Sequence, residues 1–388
     1  MYIKSIRHYK KIKGKRVFLR ASLNVPIKKG QVTDGFRIDK QLHTIRFLRM
    51  NGAKIIMSGH LGRPKGEYNE KYSLFPVAKY LEKKLSIKIK FIPNQLDFEA
   101  SNAVAEMKEG DIIMIDNLRF NPGEKKNSKR FARQLADLAD IYVNDAFANC
   151  HRAHASVSTI KNYLPAFAGL LLEEEIKNLH KVLKPKAPLV VILGGAKIKT
   201  KLPMVNQFKN KAYKILVAGA LANSFLSSRG YEIGKSLIDG ETQVFANKYK
   251  KNNLLIPVDV VVATSAKGTK GIIKKISEVR PSDYIFDIGP ETVKLYSSII
   301  REANTIIWNG PIGFYEIRAF RHGSLEIAKA VASRSKGKCF GVVGGGETVD
   351  ALKLSKTEHN VDWVSTGGGA MLAYLGGKEM PGLERLVR

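Results

Sequence analysis

Runs of consecutive apolar, mainly β-branched residues alternate along the chain with longer segments in which apolar residues recur at helical spacing. Short apolar runs are typical of strands buried on both faces, and helical spacing indicates amphipathic helices. The strands are predicted at Arg16–Leu19, Lys54–Met57, Asp111–Ile115, Ile141–Val143, Leu189–Leu193, Lys214–Val217, Asp283–Phe286, Thr305–Trp308 and Phe340–Val343. The clearest helices are predicted at Ile38–Met50, Phe131–Leu138, Leu170–Val182 and Glu291–Ala303. This alternation predicts an α/β fold of βαβ units, with parallel sheets covered on both faces.

The length of the chain requires more than one hydrophobic core. The chain has 388 residues, whereas single cores stop growing beyond about 250–300 residues. The best boundary lies near Leu164–Glu175, where Pro165 precedes a segment that would form one helix. We therefore expect two doubly wound parallel-sheet domains joined by this central helix, residues 1–168 and 169–365.

Basic side chains follow nearly every predicted strand of the first half. Ligands of doubly wound sheets bind beyond the carboxyl ends of the strands, so these side chains would share one rim. They are Arg20, Arg37, His60, Arg63, Arg119, His151, Arg152 and His154. A guanidinium group can hold a phosphate or carboxylate with two parallel hydrogen bonds. Any one of these residues could be an ordinary surface charge, but together they predict a site for a small substrate with several negative charges.

Glycines occupy the equivalent positions of the second half. They lie at Gly194–Gly195, Gly219, Gly310, Gly344–Gly346 and Gly367–Gly369. Glycine at a strand-to-helix turn lets backbone N–H groups approach a phosphate, and the helix N-terminus favours negative charge. Lys197 and Lys201 could neutralise a transferring phosphoryl group. The GxxxxGK[ST] spacing is absent and each glycine pair alone could be a plain turn, but the set predicts a nucleotide or another phosphate ligand.

The charge of the chain is strongly positive. Lys and Arg number 65 against 35 Asp and Glu, which gives a net charge of +30. The lysines are scattered in short runs, and no zinc-finger spacing, aromatic RNA-binding motif or basic region leading into heptads accompanies them. A solvated lysine-rich surface explains them better than a polyanion-binding role, which stays open, and no specific nucleic-acid partner is expected.

Two further properties of the chain bear on its cellular location. No apolar run approaches the roughly 18 residues of a membrane span, so no membrane partner is expected. Cys150 and Cys339 lie far apart in the sequence and have no metal-binding spacing. This use of cysteine indicates neither a disulfide framework nor a zinc site, and it favours the reducing cytoplasm.

An ordered series of motifs covers the chain almost from end to end. They are Arg20–Pro26 (RASLNVP), His60–Pro64 (HLGRP), Asn117–Glu124 (NLRFNPGE), Asn144–Phe147 (NDAF), His151–Ser156 (HRAHAS), Leu193–Lys197 (LGGAK), Asp287–Thr292 (DIGPET), Trp308–Gly313 (WNGPIG), Gly344–Thr348 (GGGET) and Ser365–Ala370 (STGGGA). This series resembles the phosphoglycerate kinase family. The resemblance implies two doubly wound domains joined by a helix, with the C-terminal segment 366–388 packing back on the first domain.

The resemblance also implies ligands and site residues. It implies that 3-phosphoglycerate or 1,3-bisphosphoglycerate is bound by Ser22, Leu23, Asn24, Arg37, His60, Leu61, Gly62, Arg63, Arg119 and Arg152. It implies that ADP or ATP is bound by Gly194, Gly195, Lys201, Gly219, Asn309, Pro311, Glu316, Gly345, Gly346, Glu347 and Thr348. Arg37, Lys197 and Lys201 would be catalytic, and Glu347 would bind Mg²⁺. The implied protein is a monomeric transferase of glycolysis and gluconeogenesis whose domains close before phosphoryl transfer.

Three acidic positions of the family pattern are altered. Ser22 and Thr200 stand where the family usually has Asp, and Glu347 replaces another Asp with a longer carboxylate. A carboxylate near the substrate hydroxyl and one near the lysines are therefore missing. Two other classes of function consequently stay open: a phosphate-ligand-binding protein that has lost catalysis, and a polyanion-binding protein that uses the same fold.

Overall fold

The chain folds into two compact units, each built around its own parallel sheet. The computed structural model describes residues 2–93, 98–249, 251–267 and 270–387. The first unit comprises Met1–Lys177 with Glu379–Arg388, and the second comprises Asn178–Lys378. The division falls inside the long helix predicted to connect the domains, so it lies a little later than the expected boundary at residue 168.

The first unit contains a parallel sheet and one small hairpin. Its strands are β1 (Arg16–Arg20), β2 (Ile27–Lys28), β3 (Gln31–Val32), β4 (Lys54–Ser58), β5 (Lys90–Ile92), β6 (Ile112–Ile115), β7 (Ile141–Asn144) and β8 (Ala166–Ala168). The α-helices are α1 (Phe36–Asp39), α2 (Leu42–Met50), α3 (Phe75–Leu85), α4 (Phe98–Ala105), α5 (Pro122–Lys125), α6 (Lys129–Asp137) and α7 (Leu170–Leu183), the last of which continues into the second unit. The six-stranded sheet has the order β5-β6-β4-β1-β7-β8, and β2 pairs with β3.

Strand β1 ends at the edge of the sheet from which several neighbouring loops start. Its apolar residues Val17, Phe18 and Leu19 are fully buried, as expected for a strand covered on both faces. In the parallel register, Arg20 lies opposite Ser58 of β4 and Asn144 of β7. The loops that follow these three strands therefore start from the same edge of the sheet.

The second unit contains a parallel sheet and a separate antiparallel one. Its strands are β9 (Leu189–Leu193), β10 (Lys214–Val217), β11 (Leu254–Leu255), β12 (Asp259–Ala263), β13 (Ile272–Lys275), β14 (Tyr284–Ile288), β15 (Thr305–Asn309), β16 (Phe340–Gly344) and β17 (Trp363–Ser365). The α-helices are α8 (Leu202–Phe208), α9 (Gly219–Ser228), α10 (Gly240–Lys248), α11 (Pro290–Glu302), α12 (His322–Arg334), α13 (Gly346–Leu354) and α14 (Gly368–Leu375). The parallel sheet has the order β11-β10-β9-β15-β16-β17, and the antiparallel sheet has the order β13-β12-β14.

Two elements differ from the sequence prediction. The strand predicted at Asp283–Phe286 corresponds to β14, which pairs antiparallel with β12 instead of joining the parallel sheet. This small sheet buries only part of its surface, as antiparallel sheets can, and its edge strand β13 is largely exposed. The helix predicted at Ile38–Met50 is interrupted between α1 and α2, where the Gln41 side chain bonds the main chain of Ser22 instead of facing solvent.

The C-terminal segment returns to the first unit, but only from Glu379 onward. Lys4 N donates to Leu386 O at 2.8 Å, and Lys161 Nζ donates to Glu384 O at 2.9 Å. Residues 366–378, which were expected to return as well, lie in the second unit. The reason is that α14 packs there, with the Met371 sulfur against the backbone of β16.

Within the described ranges, no helix combines the length and apolarity needed to cross a membrane.

Candidate active site

A cluster of cationic and imidazole side chains lies beyond the carboxyl edge of the first unit's sheet. At its base is Arg20, the last residue of β1, whose side chain is 0% exposed. Its Nε donates to Ser156 Oγ at 2.9 Å, and its Nη2 lies 3.4 Å from His60 Nδ1. Burial lowers the pKa of Arg20, and Glu124 is the largest influence that opposes this shift. The cluster is therefore built on a buried charge held by neighbouring polar groups.

His60 and His154 are neutral members of this cluster. Burial, and then the charge of Arg20, hold the pKa of His60 well below its usual value. Burial, and then the charges of Arg119 and Arg20, lower the pKa of His154 to about 3. Both rings are consequently uncharged at neutral pH, so the positive charge of the site comes from its arginines.

Arg119 and Arg152 repel each other, and Arg63 lies close to both. Burial and then the charge of Arg152 lower the pKa of Arg119 to about 10. Burial and then the charge of Arg63 lower the pKa of Arg152. Arg119 Nη1 donates to Gly62 O at 2.8 Å, whereas its Nε and Nη2 are buried and without a hydrogen-bond partner. Buried donors of this kind are usually satisfied, so the geometry favours an anionic ligand at Arg119.

The loop after β1 meets the loop after β4 through Asn24. Asn24 Oδ1 accepts from Gly62 N at 2.9 Å, and Asn24 O accepts from Arg37 Nη1 at 2.7 Å. Arg37 lies in α1, and burial lowers its pKa, with Asp34 opposing the shift. These bonds bring Asn24, Arg37 and Gly62 together.

Three other predicted contact residues, Ser22, Leu23 and Leu61, are buried. Leu23 and Leu61 belong to the apolar core of the first unit. Ser22 is buried as well, and Gln41 holds its main chain from both sides, at 2.8 Å to its N and 2.9 Å to its O. The N–H and C=O of Ser22 are thus already bonded within the protein.

In the second unit, the turns after β9 and β15 are in close contact. Gly194 N donates to Asn309 O at 3.0 Å. A Cβ on Gly194 would lie only 2.0 Å from Pro311 O, so any larger residue would push the two turns apart. The sheet order reverses between β9 and β15, and such switch points are where doubly wound sheets bind ligands.

The turn after β16 joins the same group. Gly345 has φ +106°, a conformation that favours glycine, and it is the N-cap of α13. Thr348 Oγ1 accepts from Gly310 N at 2.7 Å, and Asn309 Nδ2 donates to Gly344 O at 2.7 Å. A Cβ on Gly219, at the start of α9, would lie 2.8 Å from Gly195 N. The predicted glycine positions thus converge, and Gly346 lies exposed in the first turn of α13.

Lys201 is the buried cation of this group, and Lys197 and Glu347 are its exposed neighbours. Lys201 Nζ donates to Lys197 O at 3.3 Å. Burial lowers the pKa of Lys201 to about 8, with Glu347 opposing the shift. Lys197 Nζ lies 3.9 Å from Glu347 Oε1, and the two side chains are 77% and 51% exposed. Glu316 is exposed in the loop after β15, and its carbonyl accepts from Arg321 Nη2 at 3.5 Å.

One carboxylate of the second unit is placed where a metal could bind together with a ligand. Within the described residues, no group of three or more His, Cys, Asp or Glu is arranged to hold one. Glu347 nevertheless presents an exposed carboxylate in the first turn of α13. Since Mg²⁺ is usually held by one or two carboxylates together with phosphate oxygens and waters, this single group fits a metal that arrives with a phosphorylated ligand.

Four residues of these networks were not assigned to the site from the sequence: Gln41, Glu124, Asn149 and Ser156. Glu124 and Ser156 end two of the quoted motifs, so the motifs contained a signal for them. Gln41 and Asn149 act through bonds to Ser22 and His60 that no local spacing reveals.

Two α/β units, one with strand-end cations and the other with glycine turns beside a buried lysine, form an arrangement typical of enzymes that bind phosphorylated small molecules. The family model described as phosphoglycerate kinase matches residues 6–378. The chain belongs to the phosphoglycerate kinase family, a family of phosphate-transferring enzymes.

Relatives and solved structures agree with this assignment. The chain is 42% identical over 387 residues to the phosphoglycerate kinase of Thermosipho africanus, covering 97% of this chain and 96% of the relative. It is 43% identical over 387 residues to that of Fervidobacterium nodosum, with 97% and 96% covered. The structure of phosphoglycerate kinase from Coxiella burnetii superposes with a TM-score of 0.85 at 38% identity, covering 99% of both chains. That from Pyrococcus horikoshii gives 0.87 at 29% identity, covering 98% of both.

Proposed function

We propose that this chain catalyses the Mg²⁺-dependent, reversible transfer of a phosphoryl group between 1,3-bisphosphoglycerate and ADP, which yields 3-phosphoglycerate and ATP. The observation that carries the proposal is Arg119, whose Nε and Nη2 are buried and unpartnered amid other cations. Family membership supplies the reaction, and the cytoplasmic setting in glycolysis and gluconeogenesis belongs to the same proposal.

The first unit would bind the phosphoglycerate. Arg63, Arg119 and Arg152 are close enough for their positive charges to repel one another, and after burial this repulsion lowers the pKa of Arg119 and Arg152. A polyanion bound here would relieve this repulsion. His60 would add a neutral hydrogen-bond donor, and Asn24 would support the loop that carries Gly62. The more negative charge a ligand carries, the more of this repulsion it removes, which favours a substrate with both phosphate and carboxylate groups.

The second unit would bind the nucleotide. Phosphates would approach the backbone N–H groups at the start of α13, next to Gly345 and Gly346. Asn309 and Pro311 would form the adjacent wall, because their turn is locked against Gly194. Glu316 would accept from ribose hydroxyls, a role that its exposed carboxylate permits and that family resemblance assigns.

Three cations would stabilise the moving phosphoryl group. Arg37 belongs to the first unit, and Lys197 and Lys201 belong to the second. Phosphoryl transfer depends mainly on positioning and on neutralising charge that is spread over the phosphoryl oxygens. Lys201 is suited to this role because it is buried, so its charge acts in a medium of low polarity. The proposal includes a closing motion of the two domains, which would exclude water from the reactive acyl phosphate.

Glu347 would hold the Mg²⁺, with the remaining ligands supplied by nucleotide phosphates and water. When bound, the metal supplies further neutralisation of the phosphate oxygens. The lost aspartates do not remove any of the cations named above. Ser22 keeps a fixed main chain, and Thr200 Oγ1 donates to Lys197 O at 2.7 Å, which closes the turn before α8. The proposal therefore favours an active enzyme over a phosphate-binding protein without turnover.

The test is ATP formation from 1,3-bisphosphoglycerate and Mg-ADP by the whole chain, coupled to a second enzyme. We expect turnover, and we expect Lys201→Ala to lower kcat about a hundredfold, since it removes one buried charge from the transition state. Lys211→Ala is the matched control because Lys211 is an exposed lysine of the same unit.

Absence of turnover in the unaltered chain, with both ligands still bound, would identify a binding protein instead of an enzyme. Retention on a heparin matrix that falls steeply with salt and is competed by nucleic acid, in place of ligand binding, would favour the polyanion-binding function.

A further inference from the structure

A fully buried carboxylate, Glu124, lies among the cations of the first unit. Its Oε2 accepts from Ser156 N at 2.9 Å, and its Oε1 accepts from Ser156 Oγ at 2.7 Å. Arg20 Nη2 lies 4.0 Å from Oε1, and both side chains are completely buried. A buried charge is tolerated only when it is paired and hydrogen-bonded, so Glu124 and Arg20 stabilise each other.

Glu124 also fixes the segment that carries Arg152. Its backbone O accepts from Ala155 N at 3.0 Å, next to the two bonds that its side chain receives from Ser156. His154 Nδ1 lies 3.8 Å from Glu124 Oε1. One residue of α5 therefore bonds two consecutive positions of the loop that follows Arg152, Ala155 and Ser156, and its carboxylate lies beside a third, His154.

The Ser156 hydroxyl connects Glu124 to Arg20. The Ser156 hydroxyl donates to Glu124, so its oxygen is free to accept from Arg20 Nε at 2.9 Å. Arg20 Nη1 donates to Ala21 O. With Nε and Nη1 fixed, the planar guanidinium has one orientation, and this orientation places Nη2 3.4 Å from His60 Nδ1.

This contact decides which nitrogen of His60 carries the proton. Arginine has hydrogen-bond donors only, so a ring nitrogen that faces it must be an acceptor. Asn149 Nδ2, a second donor, lies 3.5 Å from the same Nδ1. The ring is neutral, because burial and then the charges of Arg20 and Arg119 hold its pKa well below the usual value. The proton therefore resides on Nε2, which leaves His60 with one N–H to donate to a ligand.

We propose that Glu124 is a positioning residue for substrate binding, which acts through Ser156 and Arg20 to hold His60 as a neutral Nε2–H donor and to fix the loop bearing Arg152. The identity of the substrate as a phosphoglycerate rests on the proposed function, whereas the protonation of His60 does not.

The first test is the protonation of His60 in the unliganded chain, read from long-range ¹H–¹⁵N correlations at neutral pH and assigned with His60→Gln. We expect an unprotonated Nδ1 and a protonated Nε2. In Glu124→Gln, the side chain has one acceptor oxygen for two Ser156 donors, so the Nε2–H form should lose population. A proton on Nδ1 in the unaltered chain, or an identical spectrum in Glu124→Gln, would overturn the inference.

The second test is the affinity for 3-phosphoglycerate by calorimetry. Glu124→Gln should weaken it about tenfold, as expected for the loss of one charge-assisted contact, and leave the affinity for Mg-ADP unchanged. Glu124→Asp keeps the charge and should recover part of the affinity, and Ser156→Ala should weaken binding in the same direction. Glu106→Gln is the control, since Glu106 is an exposed carboxylate of the same unit that pairs with Lys90.

The outcomes separate the two proposals. If the unaltered chain shows the Nε2–H form but does not bind 3-phosphoglycerate, the proposed function fails and the protonation of His60 stands. If the unaltered chain binds but Glu124→Gln folds and binds equally well, the positioning role is wrong. Should Glu124→Gln fail to fold, unchanged affinity in both Glu124→Asp and Ser156→Ala would overturn the role.

Discussion

The two half-sites of this protein are built in different ways. In the first unit, the charged groups are buried side chains that already interact with one another in the unliganded chain. Arg20, Glu124 and Arg119 are examples. In the second unit, the proposed phosphate contacts come from backbone turns around Gly345, and the nearby Lys197 and Glu347 are largely exposed. Lys201, by contrast, is a buried cation of this half-site.

This difference indicates where each unit would gain its specificity. Buried guanidinium groups have lost their hydration, so they discriminate strongly between a matching polyanion and any smaller anion. Backbone N–H groups at a helix N-terminus accept any phosphate of suitable shape, and they rely on the ligand and its metal to complete the site. Substrate identity should therefore be set mainly in the first unit.

The largest effect is expected from Arg119→Ala. This change removes the two unpartnered buried donors, so kcat/KM for the phosphoglycerate substrate should fall about a hundredfold while the affinity for Mg-ADP stays constant. Steady-state kinetics and calorimetry measure the two quantities. Arg46→Ala, at an exposed position of α2, serves as the control. An equal loss of affinity for both ligands would show that Arg119 supports the fold instead of one half-site.

The sequence was sufficient for the features that depend on local pattern and motif order. Both parallel sheets could be predicted because strands buried on both faces, such as β1 and β9, are continuous apolar runs. The antiparallel placement of β14 could not, because a short partly buried strand carries no signal for its partner. The motifs contained Glu124, but its role could not be predicted, since it meets Ser156 across 32 positions of sequence and the contact depends on how two loops pack.

The next effect concerns pH. Lys201 has a pKa of about 8 in the free chain, and a bound phosphate should raise it, because an opposite charge favours the ammonium form. Above that pKa, binding Mg-ADP requires the uptake of a proton, so its affinity should fall by at most about tenfold per pH unit. Calorimetry at about pH 7 and pH 9, on either side of the pKa, measures this change.

The first unit should behave differently over the same range. Arg119 keeps its charge, since its pKa is about 10, and the imidazoles are already neutral. Affinity for 3-phosphoglycerate should therefore be nearly flat, and Lys201→Met should make the nucleotide affinity equally flat. If both ligands lost affinity together on raising the pH, the contrast between the half-sites would be broken.

The smallest effect is expected from Glu347→Asp, which restores the usual residue of the family at the proposed metal position. Glu347 Oε1 lies 3.9 Å from Lys197 Nζ, and a carboxylate shorter by one methylene would lie farther from that ammonium. The shorter carboxylate would be freer to bind a cation, so the Mg²⁺ concentration for half-maximal activity should fall by about threefold. This corresponds to less than about 1 kcal/mol of binding free energy.

A magnesium titration of turnover measures this shift, with Glu302→Asp, an exposed site at the end of α11, as the control. A rise in the required Mg²⁺ would mean that the longer side chain of Glu347 is itself adapted to the metal. In that case the metal-binding carboxylate of the second unit would be positioned before any ligand binds. The two units would then differ only in how they contact the phosphate groups. A small fall would instead support a half-site that is completed by its ligand, because such a site tolerates a displaced carboxylate when phosphate oxygens and water fill the remaining positions around the ion.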